Sequence, residues 1–214
     1  MIAGVCLSLQ GQDTQTAEAQ SEAKGLPPRV APTDYQRQAQ AGAVTIAAEF
    51  TGHAVPTMQG PLTSEDYVVV EAGLYGPADS RIQISSGDFS LRINGRKQIL
   101  PAQAYGWILT SLKDPEWEPP EAVESRSKSK LSAGGGGGQG SEPGAPPPPP
   151  PKIPVPVQRA MAQRVQRAAL PEGDRPLPLA GLLFFQYRGK AEGIRSVELL
   201  YAGPAGKATL KLRP

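Results

Sequence analysis

A chain of 214 residues with 39 % hydrophobic content can bury one large core or two small ones, while 24 glycines and 24 prolines place part of it outside any core. A net charge of +2, without basic and aromatic residues grouped together, argues against a nucleic-acid binder. The single cysteine, Cys6, excludes an intramolecular disulfide, and no apolar run reaches the roughly 20 residues that a spanning helix needs.

The charge is unevenly spread: −1 over residues 1–42, −4 over 43–120, +3 over 121–178 and +4 over 179–214. An acidic segment followed by a basic one can attract it within one fold. At the N-terminus, MIAGVCLSLQGQ reads as the apolar part of an export signal lacking its basic start; an ordinary ragged terminus is the competing reading. Val5 before Cys6 argues against a lipoprotein anchor. Residues 13–42 have no sustained apolar period, so 1–42 is expected to be a signal-like remnant and flexible leader.

Strand signals start with AVTIAAEF, where Val44, Ile46, Ala48 and Phe50 alternate with other residues. In DYVVVEAGLYG, Val68, Val70, Ala72 and Leu74 form one face. DFSLRING puts Phe89, Leu91 and Ile93 on one side and ends in Asn94-Gly95. Both turn residues accept the positive φ of a type I′ hairpin, which predicts a return strand over 96–100 and sets Arg92 opposite Lys97. YGWILTSL, 105–112, suits a short helix or a strand, and the prolines of DPEWEPPE end regular structure.

Residues 121–153, with the run GGGGGQGSEPGAPPPPPPK, can bury nothing and read as a disordered Gly/Pro-rich insertion. Next, Val157, Met161, Val165 and Ala168 recur at helical spacing between Pro156 and the stop signals Pro171 and Gly173, predicting a short amphipathic helix over 154–169. Its stripe suits a cover over one edge of the fold. Its arginines, Arg159, Arg164 and Arg167, offer the alternative of an acidic partner. LLFFQY, IRSVELLY and KATLKL then read as three more strands, with GPAG as the turn between the last two.

Three strands in so short a piece cannot cover both faces, so 43–120 and 170–214 are expected to form one domain around the insertion; two separate domains is the competing account. The expected class is all-β: an immunoglobulin-like β-sandwich of about seven strands, with one helix before the last three.

Catalytic signals fail on inspection. GPAGKAT lacks the first glycine and the Ser/Thr of a phosphate loop, and the polyglycine run meets a dinucleotide spacing only trivially. His53 is the only histidine, which leaves no multi-histidine metal site and no convincing triad. Asp114, Glu116 and Glu118 read as a solvated acidic loop. No enzyme, metal or cofactor signature is found.

The stretches DYVVVEAGLYGP, DFSLRING and LLFFQYRGKAEGIRSVELLYAGPAGKATLKL resemble uncharacterised exported proteins of bacteria that carry an immunoglobulin-like sandwich. The resemblance covers about half the chain and rests on strand pattern and turns. It implies a non-catalytic, periplasmic or extracellular module of the cell envelope that binds a protein or polymer partner. The alternative is an accessory carbohydrate-binding domain of a hydrolase or transport system. Candidate partner-binding residues are Arg159, Arg164, Arg167 and, for a sugar, Trp117.

Overall fold

The computed structural model describes residues 24–117 and 153–214. The export-signal reading of the first residues and nearly all of the Gly/Pro insertion fall outside the described residues. Among the described residues there are thirteen strands: β1 Arg37–Ala41, β2 Val44–Gly52, β3 Ala54–Val55, β4 Leu62–Ser64, β5 Tyr67–Tyr75, β6 Arg81–Ile84 and β7 Phe89–Ile93 in the first half. After them come β8 Leu100–Gln103, β9 Leu112–Lys113, β10 Gly173–Pro176, β11 Leu179–Gln186, β12 Val197–Gly203 and β13 Gly206–Leu212. Among the described residues one α-helix, α1 Val155–Ala168, precedes β10.

Eight strands form one antiparallel sheet in the order β1-β2-β5-β11-β8-β7-β12-β13. Its two outer strands come together, so the sheet is nearly closed: the β1–β2 turn at Gly42 lies against the β12–β13 turn at Ala205, and at the other end Gln36 Nε2 donates to the Arg213 carbonyl at 3.0 Å. Gly42 has φ +57°, and a Cβ there would come within 2.4 Å of the Ala205 carbonyl oxygen, so both turn and seam need glycine. The all-β class is plain. Where two separate layers of about seven strands were expected, the hydrogen-bonded order runs continuously through eight.

Alternation explains the interior. Ile46 and Ala48, Val68 through Leu74 at every second position, Leu183 and Phe185, Phe89 through Ile93, Val197 through Tyr201, and Leu210 and Leu212 make one buried cluster. Phe89 and Tyr201 meet at 5.1 Å between ring centroids. At the end where β5 finishes and β11 begins, β6 and β10 pair as a two-stranded ribbon that adds Ile82 and Ile84 to the same core.

β5 and β11 pair along their whole length and are apolar on both faces. Part of their outer face, Tyr67, Val69, Leu182 and Phe184, is covered by Met161, Val165 and Ala168 of α1, by Ile108 from the 3-10 turn Tyr105–Ser111, and by Val55 and Leu62 of the small β3-β4-β9 sheet. This is why LLFFQY is a continuous apolar run. Beyond α1 the chain crosses β11 so closely that a Cβ on Gly181 would meet the Leu170 Cα at 2.4 Å.

The rest of the outer face corrects the leader expectation. Residues 24–42 are ordered: a strap over 24–36 crosses β5 and β2, then β1 joins the sheet. The cause is Glu71, an outward carboxylate in the middle of an apolar strand. Arg29 meets it with Nε at 3.2 Å and Nη2 at 2.9 Å, while Nη1 reaches Glu49 at 2.6 Å. Burial works against the Arg29 charge, but the hydrogen bonds and charges of Glu71 and Glu49 more than offset it and hold the guanidinium more firmly protonated than usual. The Tyr35 ring lies under that guanidinium, 4.3 Å from ring centroid to Cζ, and its hydroxyl rests over Gly73.

The hairpin expectation is corrected in part. Asn94 and Gly95 both have positive φ, 53° and 62°, as expected, but residues 96–99 form a loop and pairing resumes only at Leu100 and Pro101 opposite Leu91 and Ser90. The Asn94 side chain holds the turn against the approach to β12, accepting from the Arg195 and Ser196 N–H groups at 2.7 and 3.2 Å. Arg92 faces Glu198 on β12 at 2.9 Å instead of Lys97.

The helix offers a test. Met161 and Val165 are 3 % and 0 % exposed, so Met161→Ala should cost about 2–5 kcal/mol in denaturant melts. Arg159→Gln and Arg167→Gln, on the exposed side, should shift stability by no more than about 0.5 kcal/mol. An unchanged midpoint for the methionine variant would show that α1 is not a cover.

A second test uses the strap. Burial raises the Tyr35 phenol, with the Tyr75 phenol beside it adding to the effect, and burial likewise raises Tyr75 and Tyr201. Groups raised on folding contribute stability that is complete below the unfolded phenol value of about 10 and is lost as pH climbs past it. The protein should therefore weaken above about pH 10. Tyr35→Phe, which removes a buried hydroxyl with no hydrogen-bond partner, should be near neutral at pH about 7 and should flatten that alkaline loss. Identical alkaline melts for the two proteins would contradict the assignment.

Candidate functional site

The expected partner-binding residues do not form one surface. Arg164 is committed inside the fold: Nη1 donates to Asp114 at 2.9 Å, Nη2 to the Gly60 and Gln59 carbonyls at 2.9 and 3.2 Å, and Nε to the Thr57 hydroxyl at 3.3 Å. Its side chain is 17 % exposed and that of Asp114 14 %, so the pair ties α1 to the loops beneath it. Arg159 and Arg167 are exposed on α1, and Trp117 is half-buried where its N–H closes a turn onto the Asp114 carbonyl.

A different constellation gathers at the end of the sheet opposite the β6–β10 ribbon. A cleft of about 600 Å³ opens between the β7–β8 loop and the end of β11. One wall carries Arg96, Gln98 and Ile99; the other carries Gln186, Tyr187 and Arg188. Its origin is local chemistry. The β8–β11 ladder has only two residue pairs, Phe184 with Gln103 and Phe185 with Ala102. The next position on β8 is Pro101, whose nitrogen has no hydrogen to donate, so the two strands part there.

Two anchors fix the walls. His53, in the turn after β2, places Nδ1 2.9 Å from the Tyr67 carbonyl and Nε2 2.9 Å from the Gly189 carbonyl. Each carbonyl can only accept, so a neutral ring donates to one and a doubly protonated ring to both. Tyr187 folds back over Gly189, where a Cβ would meet its hydroxyl at 2.4 Å. On the opposite wall the Asn94 clamp holds the β7–β8 turn to Gly193, Arg195 and Ser196.

The charge here is positive. Arg96, Lys97, Arg188, Lys190 and Arg195 belong to the two loops, against Glu192 and the neighbouring Asp66. Asp66 sits 3.3 Å from Arg188 in a pair whose side chains are 72 % and 38 % exposed for Arg188 and Asp66 respectively, a geometry worth little in water. Among the described residues Arg96, Lys97, Lys190 and Arg195 have no carboxylate partner. Ile99, 44 % exposed, adds an apolar surface. Such an arrangement attracts and orients anions. The signal available beforehand was the +4 over residues 179–214; Arg96, from the other half of the chain, gave none.

Among the described residues no helix is long and apolar enough to cross a membrane. No protein-family model, curated protein or solved structure matches the chain.

Proposed function

We propose that the chain is a non-catalytic binding module, exported to the cell envelope, that engages an anionic protein or polymer at the cleft between β8 and β11. The observation that carries the reading is a cleft lined by Arg96 and Arg188, with Lys97, Lys190 and Arg195 in the same two loops, whose walls are fixed by His53 and Asn94. Side chains fill the sheet's interior, which favours a ligand face on the surface. Kinship with immunoglobulin-like modules belongs to the same proposal. The set β1-β2-β5-β11 and the set β7-β12-β13, joined through the short β8 and touching again at β1 and β13, are what a sandwich drawn closed at both sides would give.

A second reading, an accessory carbohydrate-binding domain, is favoured by Trp107, which lies 66 % exposed in the 3-10 turn beside α1. Trp117, half-buried, is the weaker platform of the two.

Calorimetric titration with polyglutamate and with a polyuronate, beside a neutral glycan array, separates the two. The proposal expects one of the anions to bind, more weakly as salt rises, and the Arg96→Glu/Arg188→Glu variant to lose roughly tenfold or more in affinity. Equal binding by that variant, or binding of neutral glycans that Trp107→Ala abolishes, would overturn it.

A further inference from the structure

We infer that the cleft takes an extended acidic peptide, which adds as a short strand to the free edge of β11. The inference rests on the proposed anion-binding role of the cleft and names the ligand that fits it.

The backbone supplies the reason. At Phe184 and Phe185, β11 is flanked by β5 on one side and β8 on the other; earlier along the strand that second edge is met by the Leu26 N–H at Ala180 and the Leu170 N–H at Leu182. Continuing the β8 register would bring Gln186 opposite Pro101, which cannot donate to the Gln186 carbonyl. Beyond that point β11 keeps only its β5 neighbour: Gln186 pairs with Tyr67, and the Tyr187 N–H donates to the Asp66 carbonyl at 2.8 Å. Backbone groups alternate sides along a strand, so with Tyr187 turned to β5, Gln186 and Arg188 present theirs to the cleft. Two residues of open edge, held in place by the His53 contact to Gly189, are a template for one more strand.

The side chains select among extended ligands. Arg96 stands on one side of the cleft and Arg188 on the other, with Lys97 and Lys190 close by in sequence, so a strand entering between the two arginines is favoured when acidic. Ile99 and Tyr187 offer apolar contact to the alternate residues. An acidic polysaccharide would satisfy the cations equally well. It would not satisfy the open edge, since it has no alternating N–H and C=O groups to pair with it.

The probes are a short capped peptide of alternating Glu and Val, the same peptide N-methylated at alternate residues, and an oligouronate of equal charge, titrated by fluorescence anisotropy against the full chain at low salt. The unmodified peptide is expected to bind, and N-methylation to weaken it by roughly tenfold through lost backbone hydrogen bonds. Arg96→Glu/Arg188→Glu should weaken it at least as much with an unchanged melting temperature, both residues being exposed. Pro101→Ala, which supplies an N–H facing Gln186, should also weaken binding by letting the β8–β11 ladder extend. Equal affinity for methylated and unmethylated peptides would overturn the strand-addition inference. So would binding of the oligouronate alone, though that result leaves the anion-binding cleft standing. Failure of both anions to bind would overturn the cleft's role as well.

Discussion

The central pair of strands, β5 and β11, is apolar on both faces, and this constraint organises the rest of the molecule. One face is buried by the curl of the sheet, which brings β1 to β13 around Val68, Val70, Leu183 and Phe185. The other needs a cover, which the chain assembles from unrelated pieces: α1, the 105–111 turn, the three-stranded sheet and the N-terminal strap. Burying a Leu or Phe side chain contributes about 1.5–3 kcal/mol, so neither face can be left to water. Because β5 comes from before the insertion and β11 from after it, neither half of the chain can satisfy the constraint alone.

Glu71 is the exception that locates the strap. A carboxylate 9 % exposed on this face would be costly without partners, and Arg29 supplies two hydrogen bonds to it while its carbonyl accepts from the Tyr75 hydroxyl at 2.8 Å. The segment is thereby oriented as well as attached. Removing the guanidinium would leave Glu71 buried and unpaired, the costlier half of such an exchange.

Strands β7, β12 and β13 were legible because each alternates more and less buried positions over five or more residues, and β5 because it is a run of β-branched and apolar residues closed by Gly76 and Pro77. The helix was legible because its stripe recurs at 3.6 spacing between proline signals. β1 was not, since RQAQA is polar and earns its place only through pairing with β2 and the seam to β13. The 96–100 strand was misplaced because Asn94, besides making the turn, binds the backbone leading into β12, a contact with no local sequence signal. The cleft was hidden for the same reason. Arg96 and Arg188 are far apart in the chain, and Pro101 reads as a loop residue until β11 is known to lie beside it. Arg164 looked like one of three exposed arginines, because the loop carbonyls and Asp114 that occupy it are set by tertiary structure alone.

The claim on which everything else depends is that β5 and β11 are one structural unit although the chain between them includes the whole Gly/Pro tract. Native-state amide hydrogen exchange on the intact protein reads it most directly. The account predicts that the amides of Val68–Leu74 and of Ala180–Phe185 open with the same free energy, equal to that of global unfolding. Protection of β5 that persists while β11 exchanges through a separate, lower-energy opening would contradict it.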